Sequence, residues 1–154
     1  MPMLDITGTR VQPLQKSFTA VDVTLENAND LAMGQSDAAI LENDADLDAL
    51  SLDFSALGAI VLTFPSFADG RAYSQASLLR DRYKFRGQII ARGDVLPDQV
   101  GLMKRCGISA IETDRNDIDV FTAGLNRYSH VYQHAADDND PVWQLRGARK
   151  RAAA

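Results

Sequence analysis

Residues 58–64 read Gly-Ala-Ile-Val-Leu-Thr-Phe, a run of apolar and β-branched side chains too short for a buried helix and without the alternation of a half-solvated strand. Such a run is the mark of a strand covered on both faces, which is the situation of strands in a parallel sheet. The next fifty residues support that reading. Ala72, Ala76, Leu79 and Tyr83 fall on one face of a helix over about 70–83, and Gly87–Arg92 forms a second strand. A helix over about 95–106 then carries Val95, Gln99, Val100, Met103 and Cys106 on one side, with Gly107 as its C-cap. Ser109–Glu112 is a third strand. The clearest stripe of all, Ile118, Phe121, Leu125, Tyr128 and Tyr132, predicts a longer helix reaching Tyr132.

Alternating strands and helices with short links imply parallel strands joined by right-handed crossovers. The expected fold class is therefore α/β: a single domain with a mostly parallel open sheet of alternating βα units, Rossmann-like or flavodoxin-like and doubly wound. A partial (β/α) barrel is the alternative, since its local units look the same; a complete barrel needs about 250 residues, and this chain has 154. Residues 36–133 form the α/β core. Residues 1–35 read as a weakly structured N-terminal segment, with a short strand at Val21–Leu25 and a weak helix at Asn27–Met33. Residues 134–154 read as a polar C-terminal tail anchored by Pro141 and Trp143.

Composition narrows the function classes. Hydrophobic residues make up 45% and charged residues 24%, the balance of a soluble globular protein, and the net charge of −5 argues against nucleic acid as a partner. Residues 1–64 hold ten acidic and two basic side chains, whereas residues 65–133 hold eight acidic and ten basic. An acidic N-terminal face beside a more basic half suits oriented docking. No stretch is long and apolar enough for a membrane span, and no secretory signal opens the chain. The single cysteine, Cys106, allows no internal disulfide, so a cytoplasmic location is expected. With one cysteine and two histidines no metal is expected, and His130 and His134 read as solvated residues at a helix end. No dinucleotide fingerprint, phosphate loop, paired-cysteine motif or nucleophile elbow occurs, so no cofactor is expected and no catalytic residue is assigned.

Ligands of parallel sheets bind outside the carboxyl ends of the strands. Three segments converge there: 65–74, 92–99 and 113–116. Asp69 is placed to cap the helix that begins after Gly70, and Asp94 to cap the next one. Arg71 puts a cation at a helix N-terminus, against the macrodipole, and so asks for a compensating anion, carboxylate or partner. Asp98 is a candidate partner for Arg71 or Arg92. Ser66, Asp69, Gly70, Arg71, Ser74, Arg92, Gly93, Asp94, Asp98 and Gln99 are accordingly the candidate anion- or partner-binding residues.

Within 58–112, Phe64-Pro65, Phe67, Asp69-Gly70-Arg71, Tyr73-Ser74, Leu78-Leu79-Arg80, Arg82-Tyr83, Gly87, Gly93-Asp94-Val95, Asp98-Gln99 and Arg105-Cys106-Gly107 occur together. In these positions the chain resembles a bacterial family of unknown function encoded beside assimilatory sulfite reductase genes and often labelled as oxidoreductases of sulfite reduction. The resemblance implies an accessory protein that docks on sulfite reductase or its electron donor, with no catalytic residues to carry over. A stand-alone enzyme or binding domain for a sulfur oxyanion or nucleotide, at the turn from Asp69 to Ser74, is the alternative. A homo-oligomer completing the sheet or its covering layer stays open as a partner arrangement, since Tyr128, Tyr132 and Trp143 suit either interface anchors or ordinary core.

Overall fold

A computed structural model describes residues 1–23, 37–50, 52–115, 117–137 and 139–152, the last four as backbone only. Its sheet contains the strand β5 (Ala59–Phe64), flanked by β4 (Ala38–Leu41) and β6 (Gln88–Gly93). All three are parallel, with Ile60 opposite Ile89, Val61 opposite both Ile40 and Ile90, and Leu62 opposite Leu41 and Ala91. The run that opens the core is thus paired along both of its edges. β3 (Ala20–Asp22) extends the parallel set on one side and β7 (Ala110–Glu112) on the other. β1 (Met3–Asp5) adds antiparallel to β7, and β2 (Gln12–Pro13) antiparallel to β1. The result is one seven-stranded sheet in the order β2-β1-β7-β6-β5-β4-β3, open and mostly parallel as the βα rhythm requires, and not closed into a barrel.

The strand order runs without the reversal that creates a switch point in Rossmann and flavodoxin sheets. Right-handed crossovers between successive neighbours must then all lie on the same face. That face carries the helices α1 (Arg71–Asp81), α2 (Val100–Arg105) and α3 (Ile118–Leu125). Ile60, Leu62, Phe64, Ile89, Ala91 and Ile111 from the sheet meet Ala72, Ala76, Leu79, Val100, Met103 and Phe121 there, all essentially buried. The link from β4 to β5 fills the same layer with Leu47, Leu50, Leu52, Phe54 and Leu57. Among the described residues one covering layer of helices therefore stands in place of the two of a doubly wound domain.

The opposite face is lined by Ala38, Ala59, Val61, Ile90 and Ala110, three of the five being alanines, and is covered by Leu14 and Phe18 from the stretch between β2 and β3. These two strands sit at opposite edges of the sheet. Six strand spacings in a flat sheet amount to roughly 29 Å. The seven residue steps from Pro13 to Ala20 reach at most about 25 Å. The sheet must therefore curl, concave toward this strap, with the alanines leaving room for it. Phe18 settles beside Gly58, where an added Cβ would lie 3.6 Å from its ring.

Two expectations at the chain ends are corrected. The weak patterning of residues 1–35 predicts little structure, yet they supply β1, β2, β3 and the strap; the strand expected at Val21–Leu25 is Ala20–Asp22, and the helix expected at Asn27–Met33 lies outside the described residues. Nor does the last core helix reach Tyr132. α3 stops at Leu125 because the Asn126 side-chain amide donates to the Thr122 carbonyl (2.8 Å) and to Thr9 O (2.7 Å), ending the ladder and tying it to the N-terminal segment. Tyr128 and Tyr132 are left exposed. The expected tail contains a fourth helix, α4 (Val142–Ala152), with Trp143 exposed and its ring edge-on to His134. No helix among the described residues is long and apolar enough to cross a membrane.

Replacing Phe18 by alanine is expected to lower stability by about 2 kcal/mol, less than for a fully enclosed phenylalanine because its ring is only partly buried. Urea unfolding checks this. An unchanged midpoint would mean that the strap does not support the sheet.

Candidate functional site

At the carboxyl end of β5 the chain must turn back into α1, and the turn is stitched to its neighbour from β6. Gly93 ends β6 in the left-handed region (φ 109°), where any Cβ would run into the Phe64 carbonyl oxygen. That close approach lets the Asp94 amide donate to Phe64 O at 2.8 Å. The Asp94 carboxylate accepts the Phe67 N–H (Oδ2, 3.0 Å), and the Gln99 side-chain amide donates to the Phe67 carbonyl at 2.7 Å. Gln99 Oε1 also accepts the Leu96 N–H at 3.3 Å. Asp94 is thus not the helix cap that its position suggests. Its carboxylate is engaged by Phe67, and the next helix begins later, through a 3₁₀ turn at Pro97–Gln99. Both backbone groups of Phe67 are held, yet the residue is 51% exposed.

Asp69 organises the other half of the edge. Its Oδ1 accepts the Arg71 N–H at 3.1 Å, which satisfies the first amide of α1 in the way the sequence suggests. Its Oδ2 accepts Arg71 Nη2 at 2.7 Å and the Asn43 side-chain amide at 2.6 Å. Asn43, just after β4, is almost fully buried, so this contact ties the β4 edge to the β5 turn. The compensating anion that Arg71 calls for at a helix N-terminus is therefore its own neighbour. Hydrogen bonds from the Arg71 side chain, and then from its backbone, hold the Asp69 carboxyl down at about 2. Ser66 completes the turn, its hydroxyl accepting the Ala68 N–H (3.3 Å) and its carbonyl the Asp69 N–H (3.0 Å). The amides of Phe67, Ala68, Asp69 and Arg71 are all in use, two of them bound to carboxylates.

The remaining sequence candidates are placed apart. Arg92 pairs with Glu112 across the β6–β7 ladder (Nε to Oε2, 2.7 Å), not with Asp98. Asp98 lies on the wall of a separate cavity of about 610 Å³ between α2, α3 and the C-terminal segment, with Lys104, Arg105 and His130. Ser74 borders a cavity of about 440 Å³ on the outer side of α1, together with Tyr73, Ser77 and Cys106. The Tyr73 hydroxyl is buried without a hydrogen-bond partner among the described residues, and burial above all pushes its pKa up to about 12. Burial likewise raises the Cys106 thiol, which keeps it protonated. His130 and His134 are exposed. The structure thus gathers Ser66, Asp69, Gly70, Arg71, Gly93, Asp94 and Gln99 on one edge. It also adds Asn43 and Phe67. The signal for Asn43 is its place two residues past the apolar run Ala38–Leu41, at the same carboxyl edge.

A depressed carboxyl pKa contributes stability above its unfolded value, near 4, and loses that contribution as the pH falls toward 2. Asp69→Asn is accordingly expected to flatten the fall in stability between about pH 4 and about pH 2, read by urea unfolding across that range. Parallel curves for wild type and variant would remove Asp69 from the acid response.

No curated protein and no solved structure matches the chain. A family model described as a bacterial protein of unknown function (DUF934) matches residues 38–143, from the start of β4 to the beginning of α4. The match takes in the whole carboxyl edge of β4, β5 and β6 and covers about two thirds of the sequence. The chain belongs to DUF934, a bacterial family of unknown function.

Proposed function

We propose that this protein is a cytoplasmic accessory protein of assimilatory sulfite reduction, docking on sulfite reductase or its electron donor through the carboxyl edge of β5 and β6. The observation that carries the docking half of this reading is Phe67. A large apolar side chain is half exposed while both of its backbone groups are fixed by Asp94 and Gln99. Such a residue loses little entropy on association, which is the property of an interface anchor. Around it lie the Asp69–Arg71 pair and Asp94, polar groups already hydrogen-bonded, which suits a rim that orients a partner.

The sulfite-reduction half rests on the resemblance in residues 58–112. On this reading, redox chemistry in which the protein takes part is carried out together with its partner. A small oxyanion or nucleotide at the turn from Asp69 to Ser74 is the competing reading. It is disfavoured because the amides it would use already hold carboxylates or hydroxyl and carbonyl oxygens.

Affinity purification of the tagged full chain from bacteria growing on sulfate, read by mass spectrometry, tests the proposal. Sulfite reductase or its electron donor is expected with the wild type, and bound about tenfold more weakly by Phe67→Ser, the size of effect of an interface anchor. The variant should unfold at nearly the wild-type temperature. Recovery of the protein alone would overturn the docking reading.

A further inference from the structure

The opposite, amino-terminal edge of the sheet carries a concentration of positive charge that no ion pair among the described residues neutralises. A groove of about 560 Å³ opens there, between the C-terminal end of α1, the starts of β6 and β7, and α2. Four cations line it: Arg80 on α1, Lys84 and Arg86 in the turn after α1, and Lys104 on α2. Among the described residues none of the four forms an ion pair with a carboxylate; the pairs that do form involve Arg71, Arg82, Arg92 and Arg105. Two acids share the lining, Asp81 and Asp137, and Asp137 is taken by Arg105.

Part of this charge has a structural task. Arg80 donates from Nε to Gly107 O (2.9 Å) and from Nη1 to Phe85 O (2.7 Å) and Gly87 O (2.8 Å). It thereby neutralises three carbonyl oxygens around the groove that would repel an anion. Among the described residues its Nη2 makes no hydrogen bond. Lys104 Nζ spends one proton on Gly8 O at 2.8 Å. Lys84 and Arg86 are exposed, and their side chains make no hydrogen bond among the described residues. Burial, and then the like charge of Arg86, lower the Arg80 pKa, so the two guanidinium groups stand close enough to repel each other.

Lys84 adds a backbone observation. It adopts φ 53°, in the left-handed region where helices commonly end on glycine, and is the sole non-glycine residue to do so among the described residues. A lysine at a position that favours glycine holds a cation at the groove at some conformational cost.

We propose that this groove binds a tetrahedral oxyanion group, phosphate or sulfate in type, carried on a small organic molecule. The volume exceeds that of a bare ion and lies in the range of small-molecule sites. The free donors of Arg80, Lys84, Arg86 and Lys104 supply charge-assisted hydrogen bonds to the oxyanion, and the rest of the groove takes the organic part of the ligand. The site is distinct from the Phe67 edge and does not depend on docking.

Isothermal titration of the full chain with pyrophosphate, adenosine diphosphate, phosphate and sulfate, at constant ionic strength against chloride, tests the proposal. Saturable binding of at least one anion is expected. Its affinity should fall about tenfold or more in both Lys84→Gly and Arg86→Gln, the scale of one lost charge-assisted hydrogen bond, and stay unchanged in Arg71→Ala. Lys84→Gly suits its backbone position, so it should unfold at or above the wild-type temperature. Preference for pyrophosphate or the nucleotide assigns a phosphorylated ligand; preference for sulfate assigns a sulfur oxyanion. Heats no different from chloride, affinities unaffected in both groove variants, or loss of binding in Arg71→Ala would each overturn it.

Discussion

β5 is enclosed on both faces and paired on both edges, and the other elements take their places from it. Ile60, Leu62 and Phe64 point into the helical layer, while Ala59 and Val61 point to the strap. Burying side chains like the first three contributes about 1.5–3 kcal/mol each. A one-residue slip would exchange the two sets, setting large side chains against the strap and small ones beneath α1. The concave face leaves room for a crossing segment at Ala38, Ala59 and Ala110, and the segment is short enough to require the curl. Register, curvature and the position of the carboxyl edge are therefore linked.

That linkage explains the two ends of the sheet. At the carboxyl end, parallel neighbours deliver successive loops side by side, and Asp69 and Asp94 turn toward amides that are already there. The outcome is a rigid rim with Phe67 at its crest. At the amino end, the helix terminus and the strand starts leave carbonyl oxygens, which Arg80 gathers, and the cations beside it pair with no carboxylate among the described residues. One edge is electrostatically closed; the other keeps uncompensated positive charge.

Much of the core was legible because its signals are local. The apolar run at 58–64, the stripe of Ala72, Ala76 and Leu79, and the glycine at 107 each act within a few residues, and each appears where spacing placed it. The stripe ending in Tyr128 and Tyr132 misled because periodicity says nothing about where a helix stops. Asn126 ends it through a contact with Thr9, more than a hundred residues away. The strands β1 and β2 escaped notice for the same reason: two or three residues carry no period and form only against β7 and each other. Asp94 was placed at the right edge with the wrong partner, since the Phe67 amide competes with the helix start only when β5 and β6 are neighbours.

By itself the sequence determined that strands and helices alternate, that the central strands are parallel and covered on both faces, and that polar residues collect at their carboxyl ends. These features arise from burial periodicity and turn chemistry, which are properties of contiguous residues. Only the tertiary structure decided the unreversed strand order, the gathering of the described helices into one layer, the curl imposed by the strap, and which charges meet. Asp69 finds Asn43, Arg92 finds Glu112, and Lys104 joins Arg80, Lys84 and Arg86 without an ion-pair partner among the described residues. Such pairings depend on distances between elements far apart in the chain, and no local pattern encodes them.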